Sequence, residues 1–62
     1  DIEEAVYLAD EVIVLGGQPA KIFGRHVINI PRPRTPALLQ SEMFYQHHRV
    51  VLQSFLRATS IL

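Results

Sequence analysis

The side chains able to do chemistry are few: His47-His48, the carboxylates Glu3, Glu4, Asp10 and Glu11, and the arginines Arg32 and Arg34. A histidine pair invites a metal ion. Adjacent helical positions point about 100° apart, however, whereas helical metal pairs are spaced by three or four residues. His48 therefore reads as a packed, hydrogen-bonded histidine and His47 as a flank residue. Four carboxylates invite acid–base work. Glu3 and Glu4 instead fall in the first turn of a predicted helix, where the helix dipole favours negative charge. Asp10 falls at a corner, where a short polar side chain satisfies backbone groups. No base, nucleophile or oxyanion donor accompanies the four, as a catalytic constellation requires. Gly16-Gly17-Gln18 has the composition of a phosphate cradle but not its length, its lysine or its following helix. A hairpin turn is the preferred reading. Arg32 and Arg34 lie in Pro31-Arg-Pro-Arg-Thr-Pro36. Without interleaved aromatics they are a weak nucleic-acid signal. The Pro-x-Pro rhythm could offer a polyproline ligand, but a rigid, solvated connector is preferred. No catalytic, cofactor-binding or metal-ligating residue is assigned.

Four segments must position these groups. Asp1 is a good N-cap, and Glu4 three residues later completes the pattern of a capping box. Ile2, Val6 and Ala9 recur at helical spacing, predicting a helix over 1–9. Val12-Ile-Val-Leu15 is a continuous β-branched and apolar run, the mark of a strand buried on both faces. Gly16-Gly17-Gln18-Pro19 ends it with a turn. From Ala20 to Ile30 the pattern is strand-like, with Ile22, Gly24, His26, Ile28 and Ile30 on one face and Gly24 marking a bulge. Together these predict a β-hairpin over 12–30. The prolines forbid helix and central strand over 31–36, which is expected to be an extended connector. A helix is predicted over 41–58, with a stripe of Phe44, His48, Val51, Phe55, Ala58 and Leu62 and with Leu52 and Leu56 at its margin. Ser41 is its N-cap, unless Thr35-Pro36 opens an earlier turn.

Composition bounds the rest. Sixty-two residues make one small domain at most, and a chain of that size buries only about 60% of its unfolded surface. It has no cysteine for disulfides and no ligand cluster for structural zinc. Six basic and six acidic side chains cancel, so no strong field attracts nucleic acid or anionic lipid. A hydrophobic content of 48% is that of a globular protein. No apolar stretch approaches the roughly 20 residues of a membrane span. A helix cap on the first residue, with no methionine before it, is expected of a segment of something longer.

The run Asp1-Ile-Glu-Glu-Ala-Val-Tyr-Leu-Ala-Asp10, followed by Val12-Ile-Val-Leu15, resembles the segment after the switch histidine in the ATP-binding subunits of ABC transporters. Glu4-Ala5 and Ala9-Asp10 fall where the family carries those pairs; Glu11 stands where it often has arginine. Pro19-Ala-Lys-Ile22, Ile30-Pro-Arg-Pro-Arg34 and Ser41-Glu-Met-Phe44 are similar to the tail of the nitrate, sulfonate and taurine importer group. The resemblance covers essentially the whole chain.

It implies an α/β parent of the P-loop NTPase type, an ABC ATPase, of which residues 1–62 are an α+β C-terminal fragment: short helix, β-hairpin, proline-rich connector and C-terminal helix. The parent is expected to use ATP and magnesium, to pair with a second ATPase subunit and to drive a membrane permease. It would sit in the cytoplasm against the inner face of the cell membrane. The family's phosphate-binding loop, magnesium-binding aspartate, water-orienting glutamate, signature loop and switch histidine are not among residues 1–62. By this alignment the histidine would directly precede Asp1. The fragment is therefore expected to be inactive alone, to bind no cofactor and to rest against the remainder of its domain. The alternative is an independent protein-interaction module, gripping a partner through the C-terminal helix or the Pro-Arg tract.

Overall fold

The computed structural model describes residues 1–60. Helix α1 spans Ile2–Leu8. The Asp1 carboxylate caps it, accepting the Glu3 N–H at 2.8 Å. The expected capping box is not formed. A short aspartate side chain reaches the second helical amide as well as the third, and Glu4 is left exposed. Seven residues are too few for a helix to hold itself in water. α1 persists because Val6 is completely buried, a contribution of about 1.5–3 kcal/mol.

Strands β1 (Glu11–Gly16) and β2 (Lys21–Val27) pair antiparallel around the Gly16–Pro19 turn. Gly17 takes a φ of 88° there, open to glycine at no steric cost. The expectation of a strand buried on both faces is corrected. Val12 and Val14 face the interior, whereas Ile13 is 44% and Leu15 59% exposed. Among the described residues only one layer of structure, α1 and the C-terminal helix α2 (Glu42–Thr59), lies against this two-stranded sheet, so its other face has no cover.

A bulge interrupts β2. Leu15 pairs with Ile22 and Val14 with Gly24, leaving Phe23 without a partner. The extra residue reverses the alternation beyond it. Ile22, expected on the face of His26 and Ile28, turns outward and is 55% exposed. Phe23 turns inward over Gly16, where an added Cβ would stand 3.1 Å from its ring.

Strand geometry ends at Val27, short of the expected Ile30. Ile28 and Ile30 nevertheless alternate into the core, and the Ile28 N–H donates to the Asp10 carbonyl at 2.8 Å. Pro36–Gln40 then forms a 3-10 turn, so Thr35-Pro36 does open a turn of its own. Helix α2 spans Glu42–Thr59. Ser41 caps it, its Oγ accepting the Phe44 N–H at 3.1 Å. The Gln18–Pro19 and Arg32–Pro33 peptide bonds are cis.

One core joins these pieces: Val6, Val14, Ile28, Ile30, Phe44, Val51 and Ala58, with Ile2, Tyr7, Val12, Phe23 and Leu38 against it. The buried stripe of α2 is Phe44, Val51, Ser54 and Ala58. At 100° per residue, that arc is rotated by about 35° from the expected one. Phe55 and Leu56 are consequently exposed; Leu62 lies outside the described residues. The rotation follows from the hairpin, which presses on the Ser54 side of α2. A Cβ on Gly24 would stand 2.5 Å from Ser54 Oγ and 2.5 Å from His26 Nε2. Gly24→Ala is therefore expected to cost about 1–3 kcal/mol, the usual penalty of overpacking. Chemical denaturation of the longer polypeptide to which the resemblance assigns these residues measures it, and an unchanged midpoint would refute the close approach.

Candidate functional site

The most highly connected polar group is Arg34, which the sequence places in a solvated connector. The structure corrects that expectation. The Pro31–Pro36 segment crosses the C-terminal end of α1 and turns both arginines onto it. Within α1 the ladder closes with the Ala9 N–H on the Ala5 carbonyl. The next four carbonyls have no intrahelical donor, as at the end of any helix. Arg34 Nη1 donates to three of them, Val6 at 3.3 Å, Tyr7 at 3.0 Å and Ala9 at 2.7 Å. Arg32 Nη2 takes the fourth, Leu8, at 2.7 Å. The last turn of α1 has no basic residue of its own, so two arginines from the connector complement its dipole.

The other edge of the Arg34 guanidinium faces the strand exit. Nε donates to the Ile30 carbonyl, and Nη2 to the Ile30 and Ile28 carbonyls at 3.0 and 3.3 Å. In return the Tyr7 hydroxyl donates to the Arg34 carbonyl at 3.0 Å. Arg32 also pairs with Asp10 at 3.0 Å. Asp10 thus answers a cation rather than the backbone groups expected of a corner aspartate. Lysine could not reproduce this arrangement, because only the guanidinium fork directs five donors in fixed directions.

The histidines are also placed differently from expectation. His47, read as a flank residue, joins α2 to the strand exit. Its Nδ1 bonds the Met43 carbonyl at 2.9 Å, and its Nε2 accepts the Asn29 N–H at 3.2 Å. These two bonds require the neutral ring with its proton on Nδ1. His48 packs on Phe44 with ring centroids 6.2 Å apart, and no hydrogen bond to it occurs among the described residues. His26 Nε2 and Ser54 Oγ share a bond of 2.7 Å. That is the spacing of a nucleophile and its base. Ser54, however, is buried in mid-helix beneath the hairpin, where no substrate carbonyl can reach it. The pair is a polar rivet between β2 and α2.

Glu3 and Glu4 face solvent at the first turn of α1. Glu11 pairs with Arg25 at 3.2 Å on the outer face of the hairpin. The Gly16-Gly17-Gln18 loop leads into β2 rather than into a helix. The sequence contains one hint of the arginine cluster: a short helix without a terminal cation, and two arginines in a stiff connector. The His26–Ser54 pair lies 28 positions apart and has no local signal.

No family model matches the sequence, and no solved structure matches it. Curated proteins do. The aliphatic sulfonates import ATP-binding protein SsuB 1 of Xanthomonas axonopodis pv. citri is 59% identical over 34 residues, 55% of this chain and 14% of that protein. The aliphatic sulfonates import ATP-binding protein SsuB of Bacillus cereus is 37% identical over 57 residues, 92% of this chain and 22% of that protein. The nitrate transport protein NasD of Klebsiella oxytoca is 37% identical over 57 residues, 90% of this chain and 22% of that protein. The chain thus spans 14% to 22% of the length of these relatives. None of these similarities supports the alternative of an independent interaction module. Matched along 90% and 92% of its length by two of these proteins, the chain is homologous to a segment of the ATP-binding subunits of ABC-type importers.

Proposed function

We propose that the chain is the C-terminal part of the ATP-hydrolysing subunit of an ABC importer for nitrate, a sulfonate, taurine or a similar small solute, and that its own role there is structural. The observation that carries this reading is the match along 92% of the chain, at 37% identity, to a sulfonate import ATP-binding protein. The complete subunit would bind ATP and magnesium, pair with a second ATPase subunit and drive a membrane permease from the cytoplasmic face. No helix among the described residues is long and apolar enough to cross a membrane.

The residues present do not fit magnesium-ATP. Among the described residues no three His, Asp or Glu side chains converge on a point, and the one glycine-rich loop is a hairpin turn. No step of hydrolysis is assigned to them. The outer face of the hairpin supports a structural role. Ile13, Leu15, Ile22 and Val27 stand exposed together, interrupted by the Glu11–Arg25 pair. An antiparallel sheet with one face in water ordinarily presents polar side chains there. A contiguous apolar face marks a surface that is covered in the working protein. The remainder of the ATPase domain is the partner that this reading supplies.

Three outcomes test the proposal. In the gene, the codons before Asp1 are expected to encode an in-frame Thr-His, with four apolar residues and Asp-Glu further upstream; a start codon directly before Asp1 would contradict it. The purified 62-residue piece is expected to show no ATP turnover, and detectable turnover would overturn the structural role. Circular dichroism of that piece is expected to show gradual melting, because the outer face lacks its cover, whereas a sharp cooperative transition would favour a self-sufficient module.

A further inference from the structure

We infer that Arg34, assisted by Arg32, is a positioning residue for the nucleotide site of the complete subunit, acting through α1. The inference rests on the reading above, in which the Thr-His of the ATP-binding subunit directly precedes Asp1, the cap of α1. α1 is seven residues long, a rod of about 10 Å at 1.5 Å per residue. Its orientation is set from outside because its own ladder is too short to be stable. Two kinds of contact set it. Val6 is buried in the core at mid-helix, and Ile2 and Tyr7 pack partly against the same core. The four terminal carbonyls, each held by a guanidinium, tie down the C-terminal end.

The same guanidinium also grips the Ile28 and Ile30 carbonyls. The end of α1 is thereby referenced to the hairpin exit. A tilt of about 6° at the clamped end moves the opposite end of a rod of about 10 Å by about 1 Å. Misplacement on that scale, remote from the reacting atoms, can lower a rate by about a hundredfold. The Pro-Arg-Pro-Arg tract is then a strap across α1: its prolines limit the backbone, and its two arginines occupy every open carbonyl of the helix end.

The test is made in the complete gene product containing residues 1–62, with Arg34→Lys as the principal variant. Lysine keeps the charge but loses the fork. kcat for ATP hydrolysis is expected to fall tenfold or more, with the KM for ATP changed by less than about twofold, at a temperature where both proteins are fully folded. Arg32→Lys, which releases one carbonyl instead of three, is expected to lower kcat by less. Hydrolysis at the wild-type rate by folded Arg34→Lys would overturn the inference, as would a loss that merely follows the fraction unfolded. If the wild-type gene product hydrolyses no ATP, the proposed function itself fails and the positioning role fails with it. The clamp is then judged alone by amide exchange. Protection in α1 should drop about tenfold in Arg34→Lys while α2 is unchanged, and equal protection in both proteins would remove the clamp as well.

Discussion

The structure depends on a single electrostatic constraint: a seven-residue helix ends in four backbone carbonyls that nothing local can satisfy. Burying such groups without partners costs about 1–3 kcal/mol each. The corner between α1 and β1 is part-open: Leu8 and Asp10 are exposed, whereas the Val6, Tyr7 and Ala9 carbonyls meet Arg34 where the chain is part-buried. Arg34 resolves the conflict by placing one planar group between two sets of carbonyls, with donors aimed both ways. Asp10, Tyr7 and Arg32 complete the arrangement around it. Every buried side-chain polar atom among the described residues has a partner, so the core is closed without an orphaned group.

That constraint explains the order of elements. The strap closes the end of α1, and it cannot reach α1 unless the hairpin first returns the chain beside Asp10. The bulge at Phe23 lets β2 present Gly24 and His26 to α2 while Ile22 turns away. The inner face is consequently tightly filled, with Gly16 against Ala58 and Gly24 against Ser54. Among the described residues the outer face carries aliphatic side chains with nothing over them. The chain spans at most 22% of the length of the relatives described above.

Local chemistry made much of this fold legible. The Asp1 and Ser41 caps, the glycine turn and the amphipathic C-terminal helix all follow from residue type and spacing, and the bulge expected at Gly24 falls one residue earlier, at Phe23. What escapes is long-range. Whether Val12-Ile-Val-Leu15 is covered on one face or two depends on what lies beside it, which a run of apolar residues does not record. The face of Ile22 depends on the parity of a bulge, and one residue inverts it. The rotation of the α2 stripe towards Ser54 reflects a serine that packs like a core residue because His26 satisfies it. The role of Arg34 was hidden for the same reason. Prolines on both sides read as a solvated linker, and nothing near position 34 names the carbonyls of residues 6 to 9.

The central claim is that the Arg34 guanidinium is immobilised between the end of α1 and the strand exit. Nitrogen-detected NMR of arginine side chains in the complete gene product tests it most directly. A clamped guanidinium rotates slowly about its Nε–Cζ bond, so Arg34 should give two resolved Nη signals with slowly exchanging protons, against one averaged signal from exposed Arg49. An averaged, rapidly exchanging Arg34 signal identical to that of Arg49 would contradict the account.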